Sequence, residues 1–124
     1  MVVADTCVWV EWIVGSALGK RFAPVFAAAR DLLVPTLIQH ELYKWCLREL
    51  SEEQAEAVVA GTRLGRVIPL DESIALHAAA LARAHRLATA DAIVYATANL
   101  YDARLVTIDR HFKGLAGVDY TPKA

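Results

Sequence analysis

The chain has 124 residues, 56% of them hydrophobic, two cysteines and a formal net charge of −1. That length suits one domain, expected over residues 1–124, with a core that needs neither disulfides nor a structural metal. The near-zero charge excludes the global basic excess of many nucleic-acid binders, so any contact with nucleic acid has to come from a local patch.

No apolar run reaches the roughly 18 to 20 residues of a membrane span, and the longest, around Val8 to Val14, is broken by Glu11. Met1 to Asp5 lacks the basic start and apolar segment of a secretory signal, so a cytosolic location is expected. Cys7 and Cys46 have neither CxxC spacing nor a histidine pair, and two reduced, packed thiols are expected.

In chain order, Val2-Val3-Ala4 predicts a short strand, capped by Asp5-Thr6, before a helix through Trp9, Trp12 and Ile13. Gly15-Ser16 breaks it, and Leu18, Phe22, Val25, Phe26 and Ala29 predict one helix over Ala17 to Ala29. Leu32-Leu33-Val34 reads as a second strand stopped by Pro35, and a long helix follows from Thr36 to about Leu50. Ser51 with Gln54 matches a capping box for another helix to about Ala60. Arg66 to Leu70, with its proline, predicts an edge strand, after which Asp71 caps an Ala-rich helix to about His85. Thr89 to Leu100 is a further helix that Thr89 itself could cap; Arg104 to Ile108 is the clearest strand, and a last short one lies near Val118 to Tyr120. Strands separated by helices imply crossovers and a mainly parallel sheet.

Four carboxylates stand against this apolar pattern. Asp5 and Asp109 follow strands, and ligands of open α/β sheets collect beyond the carboxyl ends of their strands. Glu41 falls in the helix stripe of Leu37, Ile38, Leu42 and Trp45, and Asp91 opens a helix whose remaining residues, Ala92, Ile93, Val94 and Ala96 among them, leave almost no polar face. Each has a structural alternative. Asp5 is a good N-cap, Glu41 has Lys44 or Arg48 within one or two turns, Asp91 suits the positive end of a helix dipole, and Asp109 suits a turn. His40, His77, His85 and His111 have no ligand spacing and read as surface or loop residues; Trp9, Trp12 and Trp45 read as core or partner-binding aromatics. If the acids converge, their mutual repulsion calls for protons or a cation, and all-oxygen ligands select Mg²⁺ or Mn²⁺, the setting for metal-assisted phosphodiester cleavage.

The ordered segments Asp5-Thr6, Val34-Pro35-Thr36-Leu37-Ile38-Gln39-His40-Glu41-Leu42, Thr89-Ala90-Asp91-Ala92 and Leu105-Val106-Thr107-Ile108-Asp109-Arg110-His111-Phe112 resemble the PIN-domain ribonucleases, VapC toxins of bacterial toxin-antitoxin pairs most of all. The resemblance spans essentially the whole chain. It implies a three-layer α/β/α fold with a parallel sheet of order 3-2-1-4-5, an acidic metal cluster of Asp5, Glu41, Asp91 and Asp109, and Thr6 and Thr107 as supporting hydroxyls. It further implies RNA as substrate, cut by metal-activated water to leave a 5′-phosphate and a 3′-hydroxyl, an antitoxin that occludes the site, and a toxin homodimer within a toxin-antitoxin hetero-oligomer. Arg110 and Lys113, just beyond Asp109, could offer positive charge to RNA. Cys7 stands where many relatives have serine, and Ile108 where they often have a polar residue. The competing functions are a PIN-like protein-binding module with an idle site and a phosphoacceptor receiver domain. The latter is disfavoured because no acidic pair follows strand one and no lysine follows the last well-defined strand.

Overall fold

Five short strands, β1 (Val2–Ala4), β2 (Leu32–Pro35), β3 (Arg66–Ile68), β4 (Arg104–Thr107) and β5 (Val118–Tyr120), form one sheet in a computed structural model that describes residues 1–123. All pairings are parallel and the order is β3-β2-β1-β4-β5, as the resemblance implied. In β1, Val3 pairs with Leu33 on one side and Leu105 on the other, and all three are buried. Central strands are apolar on both faces because helices cover both.

The helices are α1 (Thr6–Val14), α2 (Ala17–Lys20), α3 (Ala23–Ala27), α4 (Thr36–Glu49), α5 (Glu52–Thr62), α6 (Glu72–His85) and α7 (Thr89–Leu100). Right-handed crossovers put α1 to α5 on one face of the sheet and α6 and α7 on the other, since β1 to β3 step one way and the chain then returns past them to β4. Phe112, Leu33, Ile38, Leu42, Ile74 and Leu105 are its largest wholly buried side chains.

Local chemistry explains where this differs from the sequence reading. The single helix expected over Ala17 to Ala29 is two short ones and a 3-10 turn at Ala29–Asp31, because Pro24 has no N–H to continue the first and instead sits in the opening turn of the second. Gly19 lets α2 press on α1: a Cβ there would lie 2.0 Å from the Glu11 carbonyl oxygen. Pro35 does not stop the second strand but is its last residue, paired with Ile68. Thr89 is not the cap of α7; Ala88 holds that place with extended backbone and no side-chain hydrogen bond. Ser51 and Asp71 do cap, accepting from the N–H groups of Gln54 (3.1 Å) and Ile74 (2.9 Å).

Candidate metal centre

The chain reverses its direction of travel across the sheet between β1 and β4, which are neighbours. The helices that follow or precede these strands lie on opposite faces, and a crevice opens at their carboxyl ends. Asp5 follows β1, Thr107 ends β4, and Asp109 lies two residues further.

Asp5 is both cap and cleft acid. Its N–H donates to the Val106 carbonyl at 2.9 Å, and its Oδ1 accepts from the Thr6 N–H at 2.9 Å, capping α1. Oδ2 accepts from Thr107 Oγ1 at 2.8 Å and from the Cys7 thiol at 3.5 Å. The residue is only 7% exposed. Burial pushes its carboxyl from the ordinary 3.8 up to about 6; the bonds from Thr107 and Thr6 oppose this and the nearby charge of Asp91 adds to it. Burial likewise pushes the Cys7 thiol up to about 12, with the Asp5 charge adding, so Cys7 is a neutral donor here.

Thr107 holds two acids at once. Besides donating to Asp5, its fully buried hydroxyl accepts from the Asp109 N–H at 3.0 Å. Thr107→Val therefore strips a buried carboxylate and a backbone donor of their partner together. We expect a loss of about 1–3 kcal/mol in urea unfolding, recovered largely by Thr107→Ser.

Glu41 is half-buried on α4, and its Oε1 accepts from Thr6 Oγ1 at 2.7 Å. The alternative pairing with Lys44 or Arg48 is not what occupies it; among the described residues no lysine or arginine is ion-paired with any of the four acids. Asp91, in the first turn of α7, is also half-buried. Its carboxyl is raised first by burial, then by Asp109, and also by Glu41, while His111 opposes. Asp109 caps a 3-10 turn, Arg110–Phe112, that the buried Phe112 anchors. Its Oδ1 accepts from the His111 N–H at 2.9 Å and faces His111 Nδ1 at 3.0 Å. One ligand atom each from Asp91, Asp109 and His111 lie within 4.8 Å of one another.

All four acids wall one cleft of about 370 Å³, together with Thr6, Cys7, Glu11, Trp45 and Lys123. A larger groove of about 750 Å³ between α4 and α5 contains no acid, so chemistry and not volume marks the site. Sequence reasoning missed Glu11 and Lys123 as cleft residues and His111 as the neighbour of Asp91 and Asp109. Glu11 was within reach, because it stands one helical turn from Cys7 on the Asp5-capped helix. His111 could have been found from the turn that Asp109 caps. Lys123 carries no local signal. Arg110 and Lys113 are exposed and line neither this cleft nor the groove beside it.

A cluster of four carboxylates with no lysine or arginine ion-paired to them among the described residues, and one imidazole beside Asp109, suits a hard divalent cation of the Mg²⁺ or Mn²⁺ type. The model of the PIN domain family matches residues 2–118. The chain belongs to the PIN-domain family. No curated protein matches it by sequence. Among solved structures, this PIN domain is similar to a toxin-antitoxin complex from Klebsiella pneumoniae, with a TM-score of 0.83 and 22% identity over 96% of each chain. It is also similar to VapC20 of Mycobacterium tuberculosis, described as a sarcin-ricin loop cleaving toxin (TM-score 0.76, 16% identity, 94% of this chain and 95% of that one). A third is VapBC-1 of nontypeable Haemophilus influenzae (TM-score 0.74, 18% identity, 98% of each chain). At these identities the likeness is one of fold. Among the described residues no helix is long and apolar enough to cross a membrane.

Proposed function

We propose that this PIN domain is a Mg²⁺- or Mn²⁺-dependent endoribonuclease and the toxin of a VapBC-type pair. The observation that carries the reading is that Asp5, Glu41, Asp91 and Asp109 wall one cleft with no lysine or arginine ion-paired to any of them among the described residues; burial first, and then the charges of Asp109 and Glu41, raise the Asp91 carboxyl in keeping with that crowding. Such a set repels itself, and protons or a cation in its midst relieve the repulsion. When bound, the cation lowers the pKa of the attacking water and offsets the charge that develops on the scissile phosphate.

Asp5, Glu41, Asp91 and Asp109 are the residues that would hold it. Thr107 orients Asp5 and Asp109, and Thr6 orients Glu41, each through the hydrogen bonds described above. Arg110 and Lys113, exposed beyond Asp109, are free to meet phosphates outside the cleft. RNA as substrate is supported by the family and by the similarity to a toxin that cleaves the sarcin-ricin loop. A cognate antitoxin partner is supported by the similar chains solved as toxin-antitoxin complexes, and we extend the reading to a toxin homodimer within such an assembly.

Removal of the metal is the direct test. Total RNA incubated with the protein should stay intact in chelator and be cut when Mg²⁺ or Mn²⁺ is restored, with mapped ends bearing 5′-phosphate and 3′-hydroxyl. Cleavage undiminished by chelator would overturn the metal mechanism. Intact RNA in every metal would favour the idle binding module.

A further inference from the structure

We propose that single-stranded RNA reaches the acidic cleft along α4, with its backbone held by Lys44 and Arg48 and a base stacked on Trp45. The inference rests on the nuclease reading and says by which face the substrate enters.

A second groove, of about 420 Å³, adjoins the acidic cleft and shares three of its walls, Thr6, Glu41 and Trp45. Past that shared wall the chemistry changes sign. The groove is bordered by His40, Lys44 and Arg48, spaced four residues apart along α4 and therefore on one helix face. Lys44 and Arg48 are exposed. Lys44 has no ion pair among the described residues, and the one partner of Arg48 is its neighbour Glu49 at 2.9 Å, with side chains 62% and 50% exposed. An exposed pair of that kind is worth little and yields readily to a phosphate.

Geometry and charge together favour a nucleic-acid strand. Lys44 and Arg48 stand about 6 Å apart along the axis of α4, so each can meet a different phosphate of one strand. A cleft of carboxylates repels a polyanion, and a cationic flank continuous with it supplies the attraction that draws the strand in. Trp45, half-buried where the two grooves join, presents the aromatic surface on which bases of any sequence stack. Arg110 and Lys113, the cations that the sequence suggested, wall neither groove.

The test is binding of a fluorescein-labelled single-stranded oligoribonucleotide, followed by anisotropy over a KCl series in chelator and again in Ca²⁺. The proteins compared are the wild type, Lys44→Ala/Arg48→Ala, and Arg83→Ala as a charge control on the exposed end of α6. Alanine at 44 and 48 suits a helix and removes no buried contact, so the double variant should fold as the wild type does. We expect it to bind at least tenfold more weakly at low salt. Its slope of log K against log salt should be shallower by about 1.4, which is two phosphate contacts at ~0.7 each for single strands. Arg83→Ala should match the wild type, and in Mg²⁺ or Mn²⁺ the double variant should raise KM while leaving kcat within twofold. If the wild type binds and cleaves RNA and the double variant does so equally well with the same slope, the α4 path is wrong while the nuclease reading stands. The same holds if the double variant keeps its RNA affinity and loses a copurifying acidic protein instead. If the wild type neither binds nor cleaves RNA, both readings fall.

Discussion

Asp91→Asn is expected to abolish RNA cleavage and divalent-metal binding while raising the melting temperature of the metal-free protein. The two effects have one cause. Asp91 is the acid that burial and the charges of Asp109 and Glu41 raise, so in the absence of a cation its negative charge is a burden on the fold. Two charges 4 Å apart at an effective dielectric of 20 repel by about 4 kcal/mol, but Asp91 is only half-buried and solvent screens it, so the gain should be on the order of 1 kcal/mol. That corresponds to a rise of about 3 °C for a domain of this size. The same substitution removes an oxygen donor from the centre of the cluster. Loss of an outer partner of a ligand alone costs about 10- to 100-fold in affinity or activity, so loss of a ligand should cost more than about a hundredfold. Calorimetry with Mn²⁺, a thermal melt in chelator and an RNA digest read the three quantities separately. A variant that cleaves like the wild type would remove Asp91 from the mechanism, and one that melts lower in chelator would contradict the repulsion.

The second large effect is on pH. Asp5 is raised from 3.8 to about 6 in the folded chain, so between these values the folded state holds a proton that the unfolded chain has released. Stability associated with Asp5 is therefore complete below about pH 4 and is lost as pH climbs through 6, a change of about 3 kcal/mol for a shift of about two units. Metal demands the opposite, because a ligating carboxylate must be deprotonated; affinity for Mn²⁺ should climb steeply from pH 5 to 7 and then level. In chelator the melting temperature of the wild type, measured relative to Asp5→Asn, should fall across pH 4 to 6, and saturating Mn²⁺ should reverse that fall. A wild-type minus variant difference that is flat with pH would mean that Asp5 is not the buried acid described here.

Much of this molecule was readable one segment at a time. The five strands, the long helices α4, α6 and α7 and the caps at Ser51 and Asp71 follow from hydrophobic period and from side chains that satisfy backbone groups a few residues away. Pro24 shows where the hydrophobic period misleads: Leu18, Phe22, Val25 and Phe26 kept the helical spacing while the missing N–H ended the helix. For the acids, the alternatives weighed separately were not exclusive. Asp5 caps α1 with one oxygen and meets Thr107 with the other, and Asp109 caps a turn while lining the cleft.

By itself the sequence determined the α/β alternation, the placing of Asp5 and Asp109 beyond strand ends and the turning of Glu41 into an apolar helix stripe, because each depends on chemistry within about one turn or one strand. Only the tertiary structure decided that Thr6 meets Glu41 across 35 positions and Thr107 meets Asp5 across 102, that His111 joins Asp91 and Asp109, and that Lys44, Arg48 and Trp45, not Arg110 and Lys113, border the groove beside the acidic cleft. Those contacts depend on strand order and on which face each crossover covers, and no local period encodes either.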